Sequence, residues 1–233
     1  MRKSTSLALA VTLAFVVSLP TGANEQKYDD KVWTASFLLE KDELSTIGRN
    51  PHFNLEPGYR LVLEKGLERV TITVLDSTKK IGDVETRVVE ENETKGGKLV
   101  EISRNYYAIS KRTNSVYYFG EDVDMYKNEK VVGHGGSWLA GVNGARFGLM
   151  IPGIVLLGSR YYQEFAPGVA MDRAEIVSLS ETVVTPAARF TNCLKVEETT
   201  PLEPGNKEHK YYAAGIGLIQ DGALKLVKHG RSE

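Results

Sequence analysis

Glu68-Arg-Val-Thr-Ile-Thr-Val-Leu-Asp-Ser-Thr78 lies over Asp172-Arg-Ala-Glu-Ile-Val-Ser-Leu-Ser-Glu-Thr182, with Arg, Ile, Leu and the closing Thr recurring at an offset of 104. In the first segment Val70, Ile72 and Val74 alternate with polar residues, the period of a half-buried strand. Working outward, Val89-Glu90-Glu91 answers Val196-Glu197-Glu198, and Tyr106-Tyr107-Ala108 answers Tyr211-Tyr212-Ala213. Gly58, Arg60 and Glu64 fall over Gly158, Arg160 and Glu164. The order of the matches is kept and the offsets drift only as small loop insertions would make them drift. The expectation is that one β-meander has been used twice.

Strand-like runs fall near 59–65, 67–76, 84–91, 98–108, 114–120 and 129–134, and again near 159–166, 172–180, 192–199, 207–213 and 224–229. Between them stand turn residues such as Gly96-Gly97, Lys127-Asn128, Pro204-Gly205 and Asp221-Gly222. No stretch holds a helical period. Short strands joined by hairpin turns predict an all-β fold, an antiparallel meander built from two related halves that forms a half-barrel or barrel with an apolar groove. The expected organisation is a signal peptide at 1–23, a lead-in at 24–50, a first meander at 51–132, a Gly-rich connection or flap at 133–153 and a second meander at 154–233, as one compact unit.

Met1-Arg-Lys3, the uncharged run Leu7 to Leu19 and the small residues before Asn24 read as a secretory leader cleaved after Ala23. The apolar run is too short to span a bilayer. The expected location is therefore periplasmic or extracellular, without a membrane span. Without the leader, 27 basic and 30 acidic side chains remain, a net charge of about −3. They are interleaved along the chain, which gives no electrostatic support for a nucleic-acid partner. The one cysteine, Cys193, cannot close an internal disulfide, so an exported fold of this sequence stands on its core alone.

Eight of the eleven tyrosines form adjacent pairs: Tyr106-Tyr107, Tyr117-Tyr118, Tyr161-Tyr162 and Tyr211-Tyr212. Adjacent strand residues point to opposite faces, so each pair sends one ring inward and one outward. Inward rings carry an apolar body and a polar hydroxyl, suited to a ligand cavity, though they equally suit a core. Tyr107, Tyr118, Tyr162 and Tyr212, with Trp138 and Phe147 from the Gly-rich segment, are the candidate ligand-binding residues. Glu90-Glu91 and Glu197-Glu198 form the only repeated acidic pair, and neither can be a catalytic dyad because its members face opposite sides.

Other chemistry is thin. Gly133-His-Gly-Gly-Ser137 has glycines like an oxyanion loop, but no Gly-x-Ser-x-Gly nucleophile turn accompanies it. The four histidines lie at no ligand spacing, and Glu121-Asp122-x-Asp124 reads as a solvated turn before it reads as a calcium site. No catalytic residue, metal or cofactor is expected. Cys193 shares strand parity with Lys195 and is expected to be half-buried and inert.

Asn50-Pro-His-Phe-Asn-Leu-Glu-Pro-Gly58, Asn105-Tyr-Tyr-Ala108, Val116-Tyr-Tyr-Phe-Gly-Glu-Asp122, Gly136-Ser-Trp138 and Lys210-Tyr-Tyr-Ala-Ala-Gly-Ile-Gly-Leu218 together resemble a family of exported bacterial proteins of unknown function. The last segment also resembles the closing strands of half-barrels allied to the lipoprotein carrier fold. That likeness implies a curved sheet with an apolar concave face. The expected role is a non-catalytic binding protein for a lipophilic or aromatic ligand, such as an apolar small molecule or lipid, or for an apolar segment of another envelope protein. The alternatives are a secreted hydrolase with a site assembled across strands and a structural envelope protein.

Overall fold

The computed structural model describes residues 33–231; the expected leader and the first part of the lead-in lie outside the described residues. A single 3-10 turn, Lys41–Glu43, precedes eighteen strands. These are β1 (Leu44–Ser45), β2 (Arg49–Asn50), β3 (Phe53–Asn54), β4 (Tyr59–Lys65), β5 (Glu68–Ile81), β6 (Val84–Lys95), β7 (Lys98–Ser110), β8 (Val116–Lys127) and β9 (Lys130–Gly133). There follow β10 (Trp138–Leu139), β11 (Arg146–Ile151), β12 (Arg160–Tyr162), β13 (Glu164–Phe165), β14 (Arg173–Val184), β15 (Arg189–Thr199), β16 (Glu208–Ala213), β17 (Gly217–Asp221) and β18 (Leu224–Arg231).

The fold is all-β. One antiparallel sheet runs β12-β14-β15-β16-β17-β18-β4-β5-β6-β7-β8-β11-β13. Its two ends meet in one short stretch of chain: β12 pairs with β14, β13 pairs with β11, and only Gln163 separates them. The sheet is thereby nearly closed into a barrel, which removes the exposed edges an open sheet would offer. Buried Gln163 holds the switch by donating from Nε2 to the Met150 carbonyl at 3.3 Å. The expected run 159–166 is therefore two short strands facing different neighbours.

Two further differences from the sequence pattern have local causes. No strand is expected in the Gly-rich segment, yet β11 lies there and hydrogen-bonds to β8. Its Gly148 permits close approach of the closing segment, since a Cβ at that position would stand 2.1 Å from the Gln163 carbonyl oxygen. Glu121-Asp122-x-Asp124, expected as a solvated turn, sits inside β8 instead. There Asp122 meets Lys79 at 2.6 Å and Asp124 meets Arg104 at 2.9 Å across the outer face, so cross-strand ion pairs replace the solvent that such an acidic run would otherwise seek.

The main core occupies part of the barrel interior, with Val74, Val89, Tyr107, Ile176, Leu194 and Tyr212 among its buried members. Outside the wall a second cluster unites Tyr106, Tyr117 and Phe119 under Phe37, Leu39 and Leu44 of the N-terminal stretch. Trp33 and Ala35 cover Tyr162, Phe165 and Met171 in the same way. The outward rings of three tyrosine doublets are thus roofed by residues 33–44, which keeps a large apolar patch from water. Cys193, expected half-buried, is fully buried in a fourth cluster with Leu61, Leu63 and Leu226.

Candidate binding site: an acidic barrel interior

Residues directly opposite one another in adjacent strands face the same side of a sheet, so cross-strand register defines the inner surface. One row reads Val74, Val89, Asn105, Glu121 and Trp138 across β5, β6, β7, β8 and β10. The next reads Leu61, Ile72, Glu91, Ser103 and Val123, and the next Leu63, Val70, Glu93 and Glu101. From β14 to β17, Ala174, Glu198 and Glu208 form one row and Ile176, Val196, Lys210 and Asp221 another. Every row holds aliphatic or small apolar residues together with at least one acid.

Glu121 enters this surface through a bulge. The register Asn105 to Glu121 followed by Tyr107 to Tyr118 spends one extra residue on β8, at Phe119-Gly120, so Tyr118 and Glu121 share the inner side although they are three apart. Gly120 has φ +135°, and a Cβ there would lie 2.3 Å from the Trp138 carbonyl oxygen. That position therefore requires glycine.

The rows enclose a cavity of about 460 Å³ that reaches the barrel end formed by the turns 66–67, 96–97 and 222–223. Eleven acidic side chains line it, against Lys65, Arg69, Lys95 and Lys210. Lys95 is held by Glu68 at 2.8 Å and Arg69 by Glu64 at 2.8 Å. Lys210 lies 2.8 Å from Glu198 and 3.8 Å from Asp221. Burial alone would lower its pKa, but the fields of Asp221 and Glu198 outweigh that and hold it well above the usual lysine value. Beneath the acidic chamber a smaller, mostly apolar groove of about 80 Å³ is lined by Phe53, Leu61, Val74 and Tyr212, among others, and shares Glu91, Lys210 and Asp221 with the chamber.

Burial raises the pKa values of many of the chamber carboxyls. Glu93 is pushed up to about 7 by burial and then by Glu101; Glu101 is likewise pushed up to about 7 by burial and by Glu91. Glu91 rises to about 7 through burial, with Lys210 pulling the other way. Glu121 rises to about 8 through burial and the fields of Glu91 and Glu101, and Glu208 to about 7 through burial and Asp221. Asp172 rises to about 6 through burial and Glu198, while burial and Asp172 hold Glu164 well above the carboxylate range. Several acids pushed toward neutral pKa in one cavity make it a candidate functional site.

The expected ligand-binding residues divide between the two faces. Tyr107 and Tyr118 stack with ring centroids 4.6 Å apart and line the chamber. The Tyr118 hydroxyl donates to Asn105 Oδ1. Trp138 meets Tyr118 edge-on at 5.3 Å in the same interior, and its Nε1 is buried without a hydrogen-bond partner. Tyr212 lines the smaller groove. Phe147 instead stacks on Phe119 outside the wall, and Tyr162 packs on Phe165 there; at that doublet Tyr161 is the ring in the barrel core.

His134 and Ser137 both serve the Val123 backbone: His134 Nδ1 lies 2.9 Å from its carbonyl and Ser137 Oγ accepts from its N–H at 2.8 Å. His134 is also 3.0 Å from Asp124. Among the described residues no three His, Cys, Asp or Glu side chains converge on a metal position. The inward acids themselves were missed as a group by sequence reasoning. Their signal is faint but present: Glu91 and Glu93 continue the parity of Val89, so the inward face of β6 turns from apolar to acidic along one strand.

The molecule is thus an antiparallel barrel with an acidic chamber above an apolar floor. No family model, curated protein or solved structure matches the chain.

Proposed function

We propose that this is a non-catalytic binding protein that takes a small ligand into the barrel interior, exported from the cell as the leader at 1–23 suggests. The observation that carries the reading is the chamber of about 460 Å³, reaching one barrel end and lined by eleven acidic side chains, Glu101, Glu121 and Glu198 among them buried, against four basic ones. A protein that needed only to fold would fill that volume with side chains, as it does lower in the same barrel. The stacked Tyr107 and Tyr118 supply aromatic surface for the ligand, and the small apolar groove accepts an aliphatic end.

A secreted hydrolase is the second reading, favoured by Glu121, a buried carboxyl raised to about 8 that could hold a proton for a leaving group. The test is a thermal-shift and native-mass-spectrometry screen against anionic, neutral, lipophilic and cationic small molecules. It uses the wild type and Ser103→Trp, which fills the chamber from its wall. The binding reading expects a ligand of some class to bind the wild type saturably and Ser103→Trp to lose it while staying folded. Catalytic turnover of any of these compounds, lost in Glu121→Gln, would overturn that reading in favour of the enzyme. So would the absence of binding by every class.

A further inference from the structure

The charges of the chamber are arranged as no self-sufficient interior would arrange them. Glu93 stands directly opposite Glu101 in the β6–β7 ladder, and Glu198 directly opposite Glu208 in the β15–β16 ladder. Like charges placed opposite each other in a sheet are destabilising, and here both pairs face the cavity. Glu101 keeps only 8% of its surface exposed and has no hydrogen bond or ion pair among the described residues. Glu198 is equally buried, and although its Oε2 holds Lys210, its Oε1 is buried with no partner. The outer face of the same strands is handled differently, its acids facing Arg104, Lys207 and His209. The inner acids are therefore left for something that enters.

That something must carry positive charge at several separated points. The facing acid pairs stand on β6 and β7 on one side and on β15 and β16 on the other, and no three acids converge as a metal ion would need. Between them lie aliphatic and aromatic surfaces, Val70, Ile72, Leu218 and the Tyr107 ring. Spaced cations joined by apolar links fit this pattern, with ring faces available to an ammonium.

We infer that the ligand of this chamber is a linear polyamine, its ammonium groups distributed among the carboxylates of the two walls and its methylenes laid along the apolar surface between them. The inference rests on the reading of the barrel as a binding protein and names its ligand class.

Titration calorimetry with spermidine, in 150 mM salt at pH 7, tests it. Saturable one-to-one binding is expected, weakened at least about tenfold in Glu101→Gln/Glu208→Gln and less than about twofold in the outer-face variant Glu90→Gln. A second measurement needs no variant: repeating the titration of wild type in buffers of different ionisation enthalpy should reveal net proton release. An entering cation drives protons off Glu91, Glu93, Glu101, Glu121 and Glu208 despite the facing Lys210. Equal affinity for wild type and the double variant, binding without proton release, or a preference for calcium ion or for neutral or anionic compounds over spermidine would each overturn the polyamine assignment while leaving a binding protein. Failure of every class of ligand would instead remove the binding reading beneath it.

Discussion

Two acidic doublets, Glu90-Glu91 and Glu197-Glu198, cross the barrel wall, and their members meet opposite fates on its two faces. Outside, Glu90 stands directly opposite Arg104, with 3.4 Å between charged atoms, and Glu197 opposite His209, with Lys207 at 2.7 Å. The Lys207 hydrogen bond holds the Glu197 carboxyl below its usual range. Inside, Glu91 stands opposite Ser103 and Glu198 opposite Glu208. Burial pushes Glu91 up to about 7. Glu197 on the outer face is stabilised as an anion, while Glu91 on the inner face is resisted as one. A pattern of charges tuned for stability on the outside and against it on the inside points to a task for the inside.

The largest effect that would break this contrast is expected at Lys210, the cation nearest Glu198 and Asp221. Lys210→Met should cost about 3–5 kcal/mol in urea unfolding at pH 8, because it leaves buried acids uncompensated. At pH 5 Glu91, which burial raises to about 7 while Lys210 pulls the other way, takes up its proton and the loss should shrink; an equal loss at both pH values would mean that Lys210 matters through packing.

Next in size is the pH dependence of the ligand-free protein. Glu91, Glu93, Glu101 and Glu208 have folded pKa values near 7, above the ordinary value for an unfolded glutamate. Between these limits the native state binds more protons than the unfolded one. Their contribution is therefore fully present below the unfolded pKa and lost as pH rises through the folded one. The urea midpoint should fall steadily from pH 5 to pH 8. Glu197, with its lowered pKa, contributes above its unfolded pKa and loses that only in more acid solution, so the outer face leaves this window undisturbed. A midpoint that rises from pH 5 to 8 would contradict an uncompensated acidic interior.

Smaller effects should carry opposite signs on the two faces. Glu101→Gln removes repulsion from Glu93 and should raise the stability of the ligand-free protein at pH 8 by up to about 1 kcal/mol, fading at pH 5. Glu90→Gln loses a partly exposed ion pair with Arg104 and should lower stability by about 0.5 kcal/mol. Matching signs in the same urea assay would erase the distinction between the faces.

The all-β class and most of the strands are legible in the chain because two-residue alternation and Gly- or Asn-bearing turns are local signals. Strands β4 to β7 begin within a residue of where the alternation begins. Legibility fails where glycine substitutes for pattern. β11 holds Gly148 at its contact with the closing segment, a residue that reads as loop in sequence and is chosen for closeness in space. It fails again along β8, where Glu121 to Asp124 look solvated until the ion partners Lys79 and Arg104 arrive from other strands.

The candidate site shows the same division. Alternation establishes that one tyrosine of each doublet and one glutamate of each acidic doublet face inward, because neighbouring side chains in a strand cannot share a side. Which member faces inward depends on bulges and on how the sheet closes. The bulge at Phe119-Gly120 brings Glu121 to the side of Tyr118, and the switch at Gln163 leaves Tyr161 in the barrel core and Tyr162 outside it. The identity of each strand is set by residues a few positions apart, so the sequence by itself determines it. The charge of the interior is a sum over carboxylates drawn from strands as distant in the chain as β6 and β16, and only the closed barrel brings them to one cavity.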